Sequence, residues 1–516
     1  MQAPALFQQA QSDLQANRRQ QAVDALAQCV RLHPDFAPAF LVFADLVRLD
    51  APGVAFQLLS QVLERFPEHH GAATQALATL LPTLNPKQWH PSLERALLAC
   101  FDNPQPLARC AARLLLLKHP VADLEAAEQD PVWRTFLTRC INVDAQMEAR
   151  ITQLMAQVEP TSPLYPALAL QAFATEYCRR LPDSRPTPLN TPLIDLPDFE
   201  LPEGELWSEL ARRTRDDLLE ERRLTAEIPS LGVSADSVSQ AVRAQYEANP
   251  YPRWQAPPAP APRDLRAFLQ SFGADPAADL QILVAGCGTG YEAIDLARTD
   301  RSAIITALDL SRASLAYAQR MAAELGLTNL RFIQGDILDL PALDTRFDLV
   351  TSTGVLHHMR DPAAGLASLT AVTRPGGLLR LSLYSHHARA PIRAAHQLIR
   401  ERGWLPDRDG IAAFRSHVLN LPAEAPLASL RDSDDFYTLS GCRDLVFHVH
   451  EHQFTLPEVE RLLSDLRLVG FDAPPEALSL FGSGDPLDLD RWDQLEQRHP
   501  TLFAGMYQLL VQVPAA

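Results

Sequence analysis

Ile282-Leu283-Val284-Ala285-Gly286-Cys287-Gly288-Thr289-Gly290 is the stretch on which the fold turns. Four apolar residues run into a turn with glycine at every second position. From Tyr291 onward the spacing becomes helical, with Ala293, Ile294, Leu296 and Ala297 on one side. The pattern predicts a buried parallel strand, a tight glycine turn and a helix start. Glycine suits the turn because the chain bends sharply and a ligand must approach without a Cβ in its way. The helix N-terminus behind it offers unpaired N–H groups to a polar or anionic ligand group.

A glycine turn alone is a weak motif, so the residues that follow decide. Ile304-Ile305-Thr306-Ala307-Leu308 reads as a second strand ending at Asp309. Asp309 stands 19 residues beyond Gly290 (309 − 290). A carboxylate at that strand tip suits a ribose diol, because it accepts two hydroxyl hydrogen bonds. The dinucleotide fingerprint needs Gly-x-Gly-x-x-Gly. Here Gly290 comes one residue early and Tyr291 fills the third-glycine slot, so a nicotinamide cofactor is the lesser reading.

Leu330 to Ile337 predicts a third strand with Asp336 at its end, and Phe347 to Ser352 a fourth, followed by Gly354-Val355-Leu356-His357-His358. A helix from Asp361 to Val372 leads through Arg374-Pro375-Gly376-Gly377 to a fifth strand, Leu378 to Tyr384. This order resembles class I S-adenosylmethionine (SAM) dependent methyltransferases over about Asp264 to Tyr384. The resemblance implies a Rossmann-like α/β domain with a seven-stranded sheet whose last strand runs antiparallel. It implies that Gly286, Gly288 and Gly290 pass under the methionine part of SAM. Asp309 then takes the ribose hydroxyls, Leu310 packs on adenine, Asp336 accepts from the adenine amino group, and Ile337 completes the cofactor set. The bland alternative for each is a turn glycine or a helix-capping aspartate.

The chain has 516 residues, 47% hydrophobic and 21% charged, which suits three or four globular units. No apolar run approaches the ~18 residues of a membrane span, and Met1-Gln2-Ala3-Pro4 does not open a secretion signal. A cytoplasmic location is therefore expected. Seven cysteines are scattered without a Cys-x-x-Cys pair, so neither a disulfide framework nor a zinc cage is indicated. Cys29 and Cys287 read as small buried residues. The net charge of −17 disfavours nucleic acid and favours a neutral or cationic acceptor.

Residues 1–180 read as a helical domain. Ala22, Leu26, Cys29 and Pro34 recur as Ala55, Leu59, Val62 and Pro67, each 33 residues on (55 − 22, 59 − 26, 62 − 29, 67 − 34). That period is close to the ~34 residues of tetratricopeptide repeats, which this segment resembles. Such repeats hold partners or prop up a neighbour. Helical spacing continues over Leu93–Cys100, Pro106–Lys118, Val132–Ile141, Gln146–Val158 and Leu164–Leu181, with Trp89 and Trp133 as core. Residues 181–230 begin with an acidic, proline-rich linker to Gly204 and continue as a charged helix, Trp207 to Arg223. Residues 231–260 form a connector: a helix from Val233 to Ala248, then Asn249-Pro250-Tyr251-Pro252-Arg253-Trp254. Its prolines hold Tyr251 and Trp254 rigidly, either as packing or as a lid over cofactor or acceptor. The stretch resembles a bacterial group that joins tetratricopeptide repeats to a methyltransferase domain.

Residues 261–516 form the methyltransferase-like domain, with an insertion at about 385–454 that is rich in His and Arg. His448, His450 and His452 alternate there. On a strand they would share one face, an arrangement that suits a metal, but a polar or pH-sensitive packing face is preferred and no metal is assigned. A capped helix, Leu456 to Leu466, and strands around Leu468–Phe471 and Tyr507–Val513 close the domain. Candidate bases are His357, His358, Tyr384, His386, Glu451 and His452. His358 and His452 are chosen as catalytic, with Tyr384 beside the substrate. The leading expectation is a SAM-dependent methyltransferase acting on a protein or peptide held by the repeats. The alternatives are a small-molecule methyltransferase in which the helical part serves as lid or dimerises, and a SAM-binding scaffold without turnover. No signal for an oligomeric state is present.

Overall fold

The computed structural model describes residues 2–102, 104–179, 185–232, 234–257 and 263–515. They gather into two compact units, 2–175 and 176–515. Among the described residues of the first unit there are helices and turns and no strand. Ala3–Gln15 pairs with Arg19–Leu32, and Ala37–Val47 with Pro52–Arg65. Ala22 is the fourth residue of its 14-residue helix, and Ala55 is the fourth of another 14-residue helix. Leu26, Cys29, Leu59 and Val62 are buried with them, so the 33-residue interval falls on matching turns. The unit is helical, and adjacent helices go on packing on one another beyond these two pairs. Trp133 is core, but Trp89 is half-buried, with the Lys118 ammonium 5.0 Å from its ring centre.

Several helices end earlier than their spacing predicts. The helix expected over Leu164–Leu181 is Tyr165–Ala174, and Glu176 and Tyr177 follow with positive φ; Leu181 lies outside the described residues. The charged helix is interrupted by a wider turn at Arg212–Asp216, between Glu205–Ala211 and Asp217–Thr225. The connector helix is Ser237–Ala248, begun by the Asp236 carboxylate, which accepts from Ser239 N; Val233 lies outside the described residues.

The second unit holds a sheet of seven strands: β1 Gln281–Ala285, β2 Ile304–Asp309, β3 Leu330–Gln334, β4 Phe347–Thr353, β5 Thr373–Leu383, β6 Arg467–Asp472 and β7 Tyr507–Gln512. Their order is β3-β2-β1-β4-β5-β7-β6. The first five are parallel, and β7 runs antiparallel between β5 and β6. Runs such as Ile282-Leu283-Val284 are buried because helices cover both faces of a parallel sheet. One face packs Leu283, Val350, Leu379 and Leu381, the other Ile282, Val284, Ile305 and Leu349. Winding reverses between β1 and β4, which opens a crevice at the strand C-termini.

Three boundaries differ from the sequence reading. The third strand stops at Gln334; Gly335 N gives the last ladder bond to Asp309 O, and Asp336 then caps a short helix, Ile337–Ala342. The fifth begins at Thr373 and absorbs the Pro375-Gly376-Gly377 turn as an irregular pairing with β4. The helix after Thr455 ends at Leu462, although its capping box with Glu458 forms as read. No helix among the described residues is long and apolar enough to cross a membrane.

Candidate functional site

A cavity of about 610 Å³ opens at the C-terminal ends of β1, β2 and β4. Its floor is the glycine turn. Gly286 N and Cys287 N both donate to Leu308 O, at 2.8 and 2.9 Å, which ties the turn to β2. Gly286 has φ +76, and a Cβ there would stand 2.4 Å from Val355 Cγ2, so no side chain fits. Gly288 N donates to Asp309 Oδ2 at 2.7 Å, and Ser311 N donates to Oδ1 at 2.9 Å. Burial pushes the Asp309 carboxyl up to about 6, against the pull of those N–H donors. Asp336 is also buried; its carboxylate accepts from Leu338 N at 3.0 Å and from the Ser234 hydroxyl. Leu310 and Ile337 line the same wall.

The connector clamps this floor from outside. Glu247 accepts from Arg312 N and Ala313 N, both at 3.0 Å, and so caps helix Arg312–Glu324. Trp254 is buried, and its Nε1 donates to Thr289 O at 3.1 Å. The Tyr317 hydroxyl donates to Trp254 O, and the Thr289 hydroxyl to Pro252 O. Tyr251 lines the cavity and is joined to Pro252 by a cis peptide. Trp254 does not line it, so the lid expectation fails at that residue: its indole is spent holding the glycine loop. Gly290 is likewise outside the lining. A Cβ there would meet Ala318 Cβ at 2.5 Å, so this glycine serves the packing of two helices.

The far wall comes from residues after β5. Tyr384, Arg389, Asp435 and Asp444 line it together with His358. The Tyr251 hydroxyl donates to Asp435 and the Tyr246 hydroxyl to Asp444. Burial raises both carboxyls to about 6. Helix Leu439–Val446 positions Asp444, and its start is fixed by the Thr438 hydroxyl and by the Glu176 carboxylate, which accepts from Ser440 N at 2.7 Å. Arg389 forms a buried pair with Glu451, and its guanidinium carbon lies 3.7 Å from the Tyr384 ring centre.

The histidines separate. His358 reaches the cavity, with Nδ1 2.8 Å from His450 O. A carbonyl only accepts, so Nδ1 carries the proton and Nε2 the lone pair. Burial, then His357 and His448 nearby, hold its pKa well below the usual histidine range, so it is neutral and a weak base. His452, chosen from the sequence as a base, is not brought to the cavity. It stands outside the cavity lining, with Nε2 3.1 Å from His450 Nε2 and 3.3 Å from Arg360 O. The 448–452 segment is not a strand, so the three histidines do not share a face. His448 stacks instead on His358, ring centres 3.6 Å apart, and these two with Asp444 bring ligand-type atoms within 4.8 Å of one another. His357 is fully buried and stacked on Tyr384 at 3.8 Å, and among the described residues neither of its ring nitrogens has a hydrogen-bond partner. The sequence reading missed Asp435, Asp444 and Tyr246. They stand in unrelated stretches, and only the fold brings them together.

Residues 277–407 match the family model described as a methyltransferase domain. The chain is 34% identical over 284 residues to an uncharacterized protein of Synechococcus sp., covering 51% of this chain and 67% of that one. It is 36% identical over 186 residues to the trans-aconitate 2-methyltransferase of Deinococcus radiodurans, covering 35% and 67%. The structure of PKMT2 from Rickettsia typhi in complex with AdoHcy overlaps 52% of this chain and 53% of that one, at a TM-score of 0.35 and 16% identity, a likeness too loose to carry function. The chain belongs to the SAM-dependent methyltransferase family.

SAM is the cofactor of this family and of this chain. The cavity fits it. Gly286 and Gly288 carry no side chain on the floor, and Asp309 at the end of β2 and Asp336 beyond β3 keep lone pairs besides those that accept the backbone N–H groups and the Ser234 hydroxyl. Leu310, Ile337 and Val355 give the cavity apolar walls.

Proposed function

We propose that this protein transfers the methyl group of SAM to a protein or peptide side chain, with the helical first unit holding the acceptor. The observation that carries the methyl-transfer reading is the single cavity wall shared by the glycine turn, Asp309 and Asp336, faced by polar residues from beyond β5. Bound SAM supplies a sulfonium methyl, which passes to an acceptor lone pair while the carbon–sulfur electron pair stays on sulfur. In this reading the chain contributes position and exclusion of water. Asp309 and Asp336 hold the two ends of the nucleoside. Tyr251, Tyr384 and His358 border the acceptor end, and His358 Nε2 is a neutral acceptor for a proton.

The peptide acceptor rests on the separate helical unit, 2–175, in which Ala22 and Ala55 occupy matching turns of two 14-residue helices. A small-molecule acceptor is the second reading, favoured by the cavity volume, which suits a cofactor with a small group beside it. Labelled-methyl transfer by the full chain into size-fractionated lysate separates the two. Label on macromolecules supports a peptide, label on small compounds supports the second reading, and SAM binding with no transfer into any fraction defeats both.

A further inference from the structure

Five acidic side chains line the cavity, Glu292, Asp309, Asp336, Asp435 and Asp444, and among the described residues Arg389 is the one lining cation. Most of this charge is matched. Asp309 and Asp336 accept backbone N–H groups at the proposed nucleoside end, and Arg380 lies 3.7 Å from Glu292. Arg389 is committed to Glu451: Nε donates to Oε1 at 3.1 Å, a second guanidinium nitrogen donates to Oε2, and both side chains are buried.

Asp435 and Asp444 are left. Each accepts from a tyrosine hydroxyl, which is neutral, and among the described residues neither forms an ion pair. Arg389 acts on them only at a distance. Asp444 is buried and Asp435 half-buried on the cavity wall, and carboxylates so placed are costly without a cation. Arg389, the cation nearest to hand, is paired with Glu451, so a cationic ligand would complete the match. We infer that Asp435 and Asp444 form the acceptor subsite and that the acceptor is a protonated amine drawn in by these two carboxylates. The inference rests on the methyltransferase reading and deepens it.

The chemistry closes. The ammonium sheds a proton, and its nitrogen lone pair forms the new carbon–nitrogen bond as the carbon–sulfur bond breaks with its electrons on sulfur. The proton passes to one of the carboxylates and then to water. Burial keeps both carboxyls near 6, so they are charged at neutral pH yet less reluctant to take a proton than an exposed aspartate.

The test is calorimetric titration of the full chain, saturated with S-adenosylhomocysteine, at about pH 7.5. The probes are n-butylamine against 1-butanol, and a short lysine peptide against its norleucine counterpart. At least one charged probe is expected to bind about tenfold tighter than its neutral partner. Asp435→Asn and Asp444→Asn should each remove that advantage while S-adenosylhomocysteine affinity stays within about twofold. Preference for butylamine points to a small amine, and preference for the lysine peptide to a protein side chain. Equal binding of charged and neutral probes, or an advantage untouched by both substitutions, overturns the inference while leaving the donor site standing. Failure of S-adenosylhomocysteine to bind removes the methyltransferase reading and this inference together. Uptake of one zinc ion per chain, abolished in Asp444→Asn, also overturns it, because His358, Asp444 and His448 would then hold a resident cation.

Discussion

Asp309 shows how one side chain serves fold and ligand together. Its two oxygens accept from Gly288 N and Ser311 N, which fixes the glycine turn against β2. Removing the carboxylate frees two N–H groups and deletes the proposed ribose partner. Asp309→Ala should weaken S-adenosylhomocysteine binding about tenfold to a hundredfold by calorimetry, the size expected for lost charge-assisted hydrogen bonds. Asp444 gives a prediction of opposite sign for stability. Its folded carboxyl sits at about 6 against 3.8 when exposed, because burial disfavours the charge. A raised carboxyl contributes stability that is complete below about pH 4 and lost as pH rises through about 6. Asp444→Asn should therefore raise the free energy of denaturant unfolding near pH 7.5 by on the order of 1–3 kcal/mol, with the gain vanishing toward about pH 4. The same titration sets amine binding: affinity should fall as pH drops through about 6 and the carboxylates become neutral.

At the scale of elements, the connector and the glycine turn behave as one unit. Residues 246–254 cap a helix through Glu247, hold the turn through Trp254 and reach the far wall through Tyr246 and Tyr251. Trp254→Phe keeps the aromatic packing on Tyr291 and Tyr317 and removes one hydrogen bond to Thr289 O. It should loosen S-adenosylhomocysteine binding by about threefold to tenfold, the worth of a single neutral hydrogen bond. The helix Leu456–Leu462 is a control. Its capping box links Thr455 and Glu458 away from the cavity. Thr455→Ala should cost about 1 kcal/mol in denaturant unfolding and leave cofactor affinity unchanged.

At the scale of the molecule, two compact units share one chain, and the proposed donor site is built from residues of the second alone. A ligand stabilises the unit that binds it, by about 2.7 kcal/mol at a hundredfold excess over its dissociation constant. Scanning calorimetry should then show S-adenosylhomocysteine raising one unfolding transition and leaving another in place. A single transition that shifts as a whole would show the units to be energetically inseparable.

The residues of the proposed donor half lie close together in sequence. Glycine turn, strand-end aspartates and apolar runs sit within about sixty residues of continuous sequence, and each carries a backbone or hydrogen-bonding constraint that only certain residue types satisfy. Apolar spacing marked the strands, whereas the seven-stranded sheet was what the family resemblance implied; β3 ends early where Asp336 caps a short helix. The acceptor half was decided by tertiary structure. Asp435, Asp444, Tyr246 and Arg389 belong to no motif, and their meaning comes from burial in one cavity and from which charges find partners there. The histidine row shows the same limit. Alternation suggested a shared face, but without a strand His448 turns to His358 and His452 turns away. Sequence fixes local backbone needs, whereas pairing between distant charges depends on desolvation, which exists only once the chain has packed.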